Sequence, residues 1–350
     1  MWKFGKYEIK GKVFLAPMAG FTSEGYRKYL NSFGADICVT EMVSDMGLIY
    51  NNKETNDYVI YQKDPHTLTG VQLFGHSPET ISKAAQIALK LNPNIEFFDV
   101  NMGCPVPKVV KTGAGSALLK DPETIKNIII ELKKVTDLPI SAKIRLGYDE
   151  MNFLEVIKAL EEGGVDAIGI HARTRNEYYY GTPHFDVLKD IRKSMSVPLI
   201  ISGNIYSLDD AINALEITKA DAVMVARGGL GNPYLLTQIK TYFVTGERLD
   251  NPSFKEQKKY CLELCKSMIE EKGEKKALMI YRSIAPKFFL GFPNAKQLRI
   301  RLATELFTFE NLMSILDAYE KEIMNFWLLI SQSNLYTNKE LEDFLWNQKN

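Results

Sequence analysis

One unit recurs through the first two thirds of this chain: a short apolar, β-branched run followed by an amphipathic helical run. Lys12–Ala19, Asp36–Glu41, Leu68–Gly75, Phe97–Met102, Ile140–Leu146, Ala167–Ala172, Pro198–Ser202 and Ala222–Ala226 read as strands. Helical periodicity falls at 24–33, 78–91, 122–135, 153–162, 185–194, 208–217 and 233–243. Several helix starts carry caps. Ser77-Pro78-Glu79 and Asp121-Pro122-Glu123 place a capping side chain before a helix-compatible Pro, and Ser207 has Asp210 at the capping-box position. Eight strands, seven of them followed by a helical run, in about 245 residues match a TIM (β/α)8 barrel in strand count and size. The competitor is a doubly wound open sheet, but no GxGxxG follows the first strand. After Gly246 only helical periodicity remains, with breaks at Gly273, Gly291-Phe292-Pro293 and Ser331 to Tyr336. The expected organisation is an α/β barrel over residues 1–245 and a smaller all-helical domain over 246–350, whose last stretch, from Ser331, is an extension.

Composition narrows the class. The chain has 350 residues, 45% hydrophobic and 25% charged, which is ordinary for a globular protein. Lys+Arg equals Asp+Glu at 43 each, so only a local patch can recruit a polyanion. Cys38, Cys104, Cys261 and Cys265 form no CxxC, and His66, His76, His171 and His184 form no HxxxH, so no metal site is expected. Cys261 and Cys265 share a helix face and read as buried. No apolar run reaches the ~20 residues of a membrane span, and Met1-Trp2-Lys3-Phe4-Gly5-Lys6 lacks the apolar core of a signal peptide. A cytoplasmic protein with reduced thiols, acting as a monomer, is expected.

A barrel of this type carries its chemistry at the C-terminal ends of its strands. There the chain places Pro17-Met18-Ala19, Gln72, Asn101-Met102-Gly103-Cys104, Lys143 and Arg145, His171 and Arg173, Ser202-Gly203-Asn204, and Ala226-Arg227-Gly228-Gly229. A purely structural barrel has no need of those polar groups. Cys104 ends an apolar strand between Gly103, which permits an unusual backbone angle, and Pro105, which stops the strand; the thiol is therefore placed to face a ligand. Lys143, between Ala142 and Ile144, puts a charge where burial is costly. The glycine-rich loops after the seventh and eighth strands occupy the usual phosphate slots. A phosphate there, Gln72 at a ring edge and Lys143 beside a ring that takes up negative charge describe a flat phosphorylated cofactor, and FMN fits.

The segments LAPMAGFTS (Leu15 to Ser23), VQLFG (Val71 to Gly75), FDVNMGCPVPKVVKTGAGSALLKDP (Phe98 to Pro122), SAKIRLG (Ser141 to Gly147), IHARTR (Ile170 to Arg175), ISGNI (Ile201 to Ile205) and VMVARGGLGNP (Val223 to Pro233) closely resemble the tRNA-dihydrouridine synthase family. The resemblance implies an FMN-dependent, NADPH-driven reductase that saturates the 5,6 double bond of particular uridines in tRNA. It implies that Pro17, Met18 and Ala19 line the flavin, that Gln72 and Lys143 contact its ring, that His171 lies toward the phosphate, and that Ser202, Gly203, Asn204, Ala226 and Arg227 cradle it. Cys104 is the implied proton donor to C5 after hydride addition at C6. Departures are Ala172, Asn204 in place of an Asp, and the tyrosine-rich Asn176–Gly181.

A neutral protein that binds tRNA needs a basic patch. Lys275, Lys276, Arg282, Lys287, Lys296, Arg299 and Arg301 lie in a stretch with no acidic residue, interleaved with Tyr281, Phe288, Phe289 and Phe292. Arg282, Lys287, Arg299 and Arg301 are expected RNA contacts, with Lys108, Lys111, Arg173 and Arg175 at the barrel mouth. Two alternatives stay open: a flavin-dependent reductase of small pyrimidines or orotate-type substrates, and dihydrouridine formation in ribosomal RNA.

Overall fold

The computed structural model describes residues 1–332. The expected extension from Ser331 lies, beyond Gln332, outside the described residues. Eight strands form the core: β1 Val13–Leu15, β2 Ile37–Val39, β3 Leu68–Phe74, β4 Phe98–Asn101, β5 Ile140–Arg145, β6 Ala167–His171, β7 Leu199–Ser202 and β8 Ala222–Val225. Each pairs in parallel with the next, and β8 returns to β1 through Val223–Val13, Met224–Phe14 and Val225–Leu15. The sheet is therefore a closed barrel, as the eightfold repeat predicts. A two-residue strand, Val43–Ser44, adds to the flank of β3.

Strand parity sorts the side chains. Phe14, Ala16, Ile37, Val39, Ala167, Ile200, Ala222 and Met224 join one buried cluster. The antiparallel hairpin of Trp2–Phe4 and Tyr7–Ile9 adds Trp2, Phe4 and Ile9 to it. The Phe4 ring meets Phe97 edge-on at 5.0 Å, just before β4, and Gly5 packs on Pro139 just before β5. The hairpin thus fills the N-terminal end of the barrel and leaves function to the other end.

Local signals held in most places. Asp121 accepts the N–H of Thr124, and Ser207 with Asp210 forms a full capping box. Ser77 does not cap; its hydroxyl donates to the Glu79 carboxylate. The helix expected over 185–194 is two 3-10 turns, Asp186–Leu188 and Ile191–Ser194, because Asp190 between them takes a left-handed φ of 58° that no α-helix accommodates.

Two compact units emerge, one of Met1–Ser23 with Gly34–Ala226, the other of Glu24–Phe33 with the residues from Arg227 on. The helix Glu24–Asn31 and everything from Arg227 on therefore group with the helical part, where the sequence suggested a boundary at 245. In that second unit, helices Phe254–Lys272, Glu274–Tyr281, Ala295–Thr304 and Phe309–Gln332 pack around Phe254, Cys261, Cys265, Tyr281, Phe288 and Phe289, all buried. Among the described residues no helix is long and apolar enough to cross a membrane.

Candidate active site

On β4 the side chains of Asp99 and Asn101 share a face, and on β5 those of Ser141, Lys143 and Arg145 do. The register sets Asn101 beside Lys143, and Arg145 beside His171 beside Ser202. Neighbouring strands thereby present polar residues toward the C-terminal end, where the sequence reading placed function.

Lys143 is half-buried, its stem lying beside Gly169. Among the described residues its ammonium makes no hydrogen bond or ion pair. Burial and the neighbouring Arg145 guanidinium pull its pKa down to about 8, against the opposing pull of Asp99 and Cys104. Gln72 is buried on β3 and donates through Nε2 to Asp99 Oδ2 at 2.6 Å. The second Asp99 oxygen accepts from Ser141 Oγ at 2.6 Å. Burial lifts the Asp99 pKa to about 6, while those two hydrogen bonds and Lys143 hold it back.

Cys104 follows β4 in a loop bound on both sides. Its N–H donates to Asn101 Oδ1 at 2.9 Å, and its carbonyl accepts the N–H and hydroxyl of Ser116 at 3.1 and 2.9 Å. Burial pushes the thiol pKa up, and the Val106 N–H, Arg145 and Lys143 draw it back in part. A partly accessible thiol that keeps its proton at neutral pH is suited to act as an acid. Two glycines make the loop possible. Gly115, at φ 62°, sits where a Cβ would meet the Cys104 carbonyl oxygen at 2.9 Å. Gly103 takes no left-handed angle, contrary to expectation; its role is close approach, since a Cβ would lie 3.2 Å from the β5 backbone at Lys143 and Ile144. The run into Cys104 is also less apolar than it reads, because Asp99 sits buried inside it.

Arg145, named in the sequence but given no role there, is buried. It donates to Gly103 O at 2.8 Å, Thr174 O at 2.9 Å and Tyr178 O at 2.7 Å, tying the cysteine loop to the loop after β6. Tyr179 lies under its guanidinium at 5.2 Å and edge-on to His171 at 6.0 Å. His171 itself is buried at the end of β6. Pro17 and Met18 are half-buried and Ala19 exposed in the loop after β1. Ser202, the last residue of β7, is buried, and after it Gly203 adopts φ 137° and Asn204 φ 49°, the tight turn expected of an anion-binding loop. Ala226 is half-buried directly after β8, and Arg227, exposed, opens the second unit.

The expected RNA contacts divide. Lys108 and Lys111 are exposed, closely following Cys104 in the chain. Arg175 is half-buried between the rings of Tyr148 and Tyr178, at 5.0 and 5.4 Å. Arg173 is a correction: it is fully buried and donates to the carbonyls of Tyr180 and Gly181 and to Asn204 Oδ1, so it braces a loop rather than facing solvent. In the second unit Arg282, Lys287, Arg299 and Arg301 are half-buried. Arg282 donates to Leu306 O at 2.9 Å, Lys287 donates to Ser283 O, and Arg301 pairs with Glu305 at 3.1 Å. Tyr281, Phe288 and Phe289 are core.

A family model described as dihydrouridine synthase matches residues 14–323. The chain belongs to the dihydrouridine synthase family. A probable tRNA-dihydrouridine synthase of Rickettsia conorii is 32% identical over 336 residues, 95% of this chain and 98% of that one. A tRNA-dihydrouridine synthase B of Pasteurella multocida is 33% identical over 295 residues, 83% and 88% of the two chains. An old yellow enzyme homologue from Zymomonas mobilis aligns in structure with a TM-score of 0.46 at 13% identity, over 73% of this chain and 94% of that one, a likeness too low to bear on the reading. As a dihydrouridine synthase the chain is a flavin-dependent oxidoreductase. The residues fit a flavin: an unpaired ammonium at the open end of the barrel, an amide beside it and a tight glycine turn after β7 are the donor set that a ring and a phosphate need.

Proposed function

We propose that this enzyme reduces the 5,6 double bond of specific uridines in tRNA to dihydrouridine, with FMN as its flavin and NADPH as reductant. The observation that carries the reading is the reach of one side chain: Asn101 donates to Gln72 Oε1 at 2.9 Å and accepts from the Cys104 N–H at 2.9 Å. Ring-contacting and proton-donating residues thus share a single anchor.

Gln72 and Lys143 hold the ring edge, the ammonium offsetting negative charge there. Pro17, Met18 and Ala19 line the flavin, and His171 stands toward the phosphate. Ser202, Gly203, Asn204, Ala226 and Arg227 bind the phosphate, mainly through backbone N–H groups. Bound and reduced, FMN supplies hydride to uracil C6. Cys104 delivers its thiol proton to C5, which completes the reduction, and the resulting thiolate regains a proton from solvent. Lys108, Lys111 and Arg175 meet RNA phosphates at the barrel mouth, and Arg282, Lys287, Arg299 and Arg301 do so on the helical unit. Arg173 serves that surface from beneath. A cytoplasmic monomer suits the role.

The test is to purify the protein and to map dihydrouridine in RNA from cells with and without its gene. Release of FMN on heating, and loss of dihydrouridine from defined tRNA positions, are the expected results. Loss confined to ribosomal RNA would reassign the substrate. A flavoprotein whose deletion changes no RNA would point to a small-pyrimidine reductase.

A further inference from the structure

The buried hydrogen bonds between β3, β4 and β5 form one directional chain. Ser141 Oγ donates to Asp99 Oδ1 at 2.6 Å, and Gln72 Nε2 donates to Asp99 Oδ2 at 2.6 Å. Because the Gln72 amide nitrogen faces Asp99, its oxygen faces away and accepts from Asn101 Nδ2 at 2.9 Å. Because the Asn101 nitrogen is spent there, its oxygen accepts the N–H groups of Gly103 and Cys104, at 3.2 and 2.9 Å. Each amide could donate or accept at either end, so neither fixes the direction of the chain. An ionised carboxylate can only accept. Asp99, which can only accept, and the backbone N–H groups of Gly103 and Cys104, which can only donate, therefore fix the sense of the chain from its two ends.

We propose that Asp99 is a positioning residue that sets the Cys104 loop through Gln72 and Asn101. The inference rests on the reading of Cys104 as the proton donor, but the geometry extends it to a residue that touches neither ring nor substrate. With a carboxylate at position 99, Asn101 must present oxygen to the cysteine loop. With a group at 99 that also donates, only the loop N–H groups still hold the amides in this sense, and Gln72 and Asn101 can turn over. An NH2 group would then face the N–H of Cys104, and the loop would lose its tether. Burial of Asp99 beside Lys143, with Arg145 and Cys104 the other ionisable groups nearby, keeps the carboxylate out of water and its two bonds short.

The test reads the loop directly, without substrate. Cys38, Cys261 and Cys265 are buried, so iodoacetamide reports on Cys104, with Cys104→Ala as the blank. Alkylation of the purified flavoprotein is followed by mass spectrometry in the wild type, Asp99→Asn, Asn101→Asp and the double variant. An Asp at 101 accepts both loop N–H groups whatever its neighbours do, so it uncouples the loop from Asp99. Asp99→Asn should change the alkylation rate by about fivefold, the weight of one ordinary hydrogen bond. In the Asn101→Asp background the same change should have less than about a twofold effect. A rate for Asp99→Asn within about twofold of wild type, or an equal effect in both backgrounds, overturns the proposal. If Asp99→Asn does not fold, Gln72→Leu breaks the path between Asp99 and Asn101 and should shift the rate to a similar extent, and an unchanged rate there overturns the proposal equally. A colourless protein would instead count against the flavin reading and leave the alkylation outcome to judge Asp99 alone.

Discussion

The side-chain oxygen of Asn101 holds the backbone N–H of Cys104 at 2.9 Å while Ser116 holds its carbonyl, so the thiol is placed jointly by the strand that precedes it and the turn that follows. The thiol is thus held in place by the protein alone, and the proton donation proposed for it can be tested apart from flavin binding.

Cys104→Ala should keep flavin content and NADPH oxidation while uridine reduction falls by about 10²–10⁴-fold, the usual worth of a positioned acid. Stopped-flow traces of the two half-reactions separate the effects. Equal loss in both would show that the residue holds the fold or the flavin.

Lys143→Met should stabilise the flavin-free protein while weakening flavin binding. The native pKa is lowered from 10.5 to about 8, so the cost of the charge is fully present below pH 8 and disappears as pH rises to 10.5. Wild-type stability should therefore climb through that window relative to the variant, which starts about 1–3 kcal/mol ahead at neutral pH. Urea titrations at pH 7 and 10 check both the sign and the closing gap.

Asp99 titrates in the opposite sense. Its native pKa is raised from 3.8 to about 6, so the native state holds its proton longer than the unfolded chain. The resulting stability is present below pH 3.8 and is lost as pH rises through 6. Relative to Asp99→Asn, the wild type should lose about 3 kcal/mol between pH 4 and 6 and stay level above. A flat difference across that range would mean that the carboxylate is better solvated than its burial indicates.

Arg173→Ala should destabilise by about 3 kcal/mol, because it strips donors from the Tyr180 and Gly181 carbonyls and from Asn204 in a buried setting. Arg301→Ala, which breaks only a half-exposed pair with Glu305, should cost less than about 0.5 kcal/mol. Denaturation midpoints distinguish a bracing arginine from a surface one.

The double change Lys108→Ala and Lys111→Ala should weaken tRNA binding and lower the slope of log affinity against log salt by about 2, one per lost phosphate contact. Flavin-driven NADPH oxidation should stay near wild type. An unchanged slope would move the RNA track to Arg175 or to the helical unit.

The barrel was legible because its strands are short, apolar and evenly spaced, and because polar residues at strand ends have no structural excuse. Lys143 and Gln72 stood out for that reason. Asp99 and Ser141 did not, although both sit in strand interiors at the parity of Asn101 and Lys143; alternation within a strand was the signal that could have found them. Arg173 misled because a loop arginine reads as solvated, whereas its partners are backbone carbonyls several residues on, which only the folded loop brings within reach. The helix over 185–194 failed on one residue, Asp190, whose left-handed backbone periodicity does not reveal. The compact units divide elsewhere than at 245, because the helix Glu24–Asn31, far earlier in the chain, groups with the later residues.

The burial that keeps the Cys104 proton in place also governs how the residue ages. Peroxides and electrophiles react with thiolate, and a thiol whose pKa is raised offers little of it at neutral pH. The other three cysteines are shut inside the protein. With Cys104 as the proton donor proposed above, activity should therefore persist under peroxide exposure that would silence an enzyme whose cysteine had been tuned as a nucleophile.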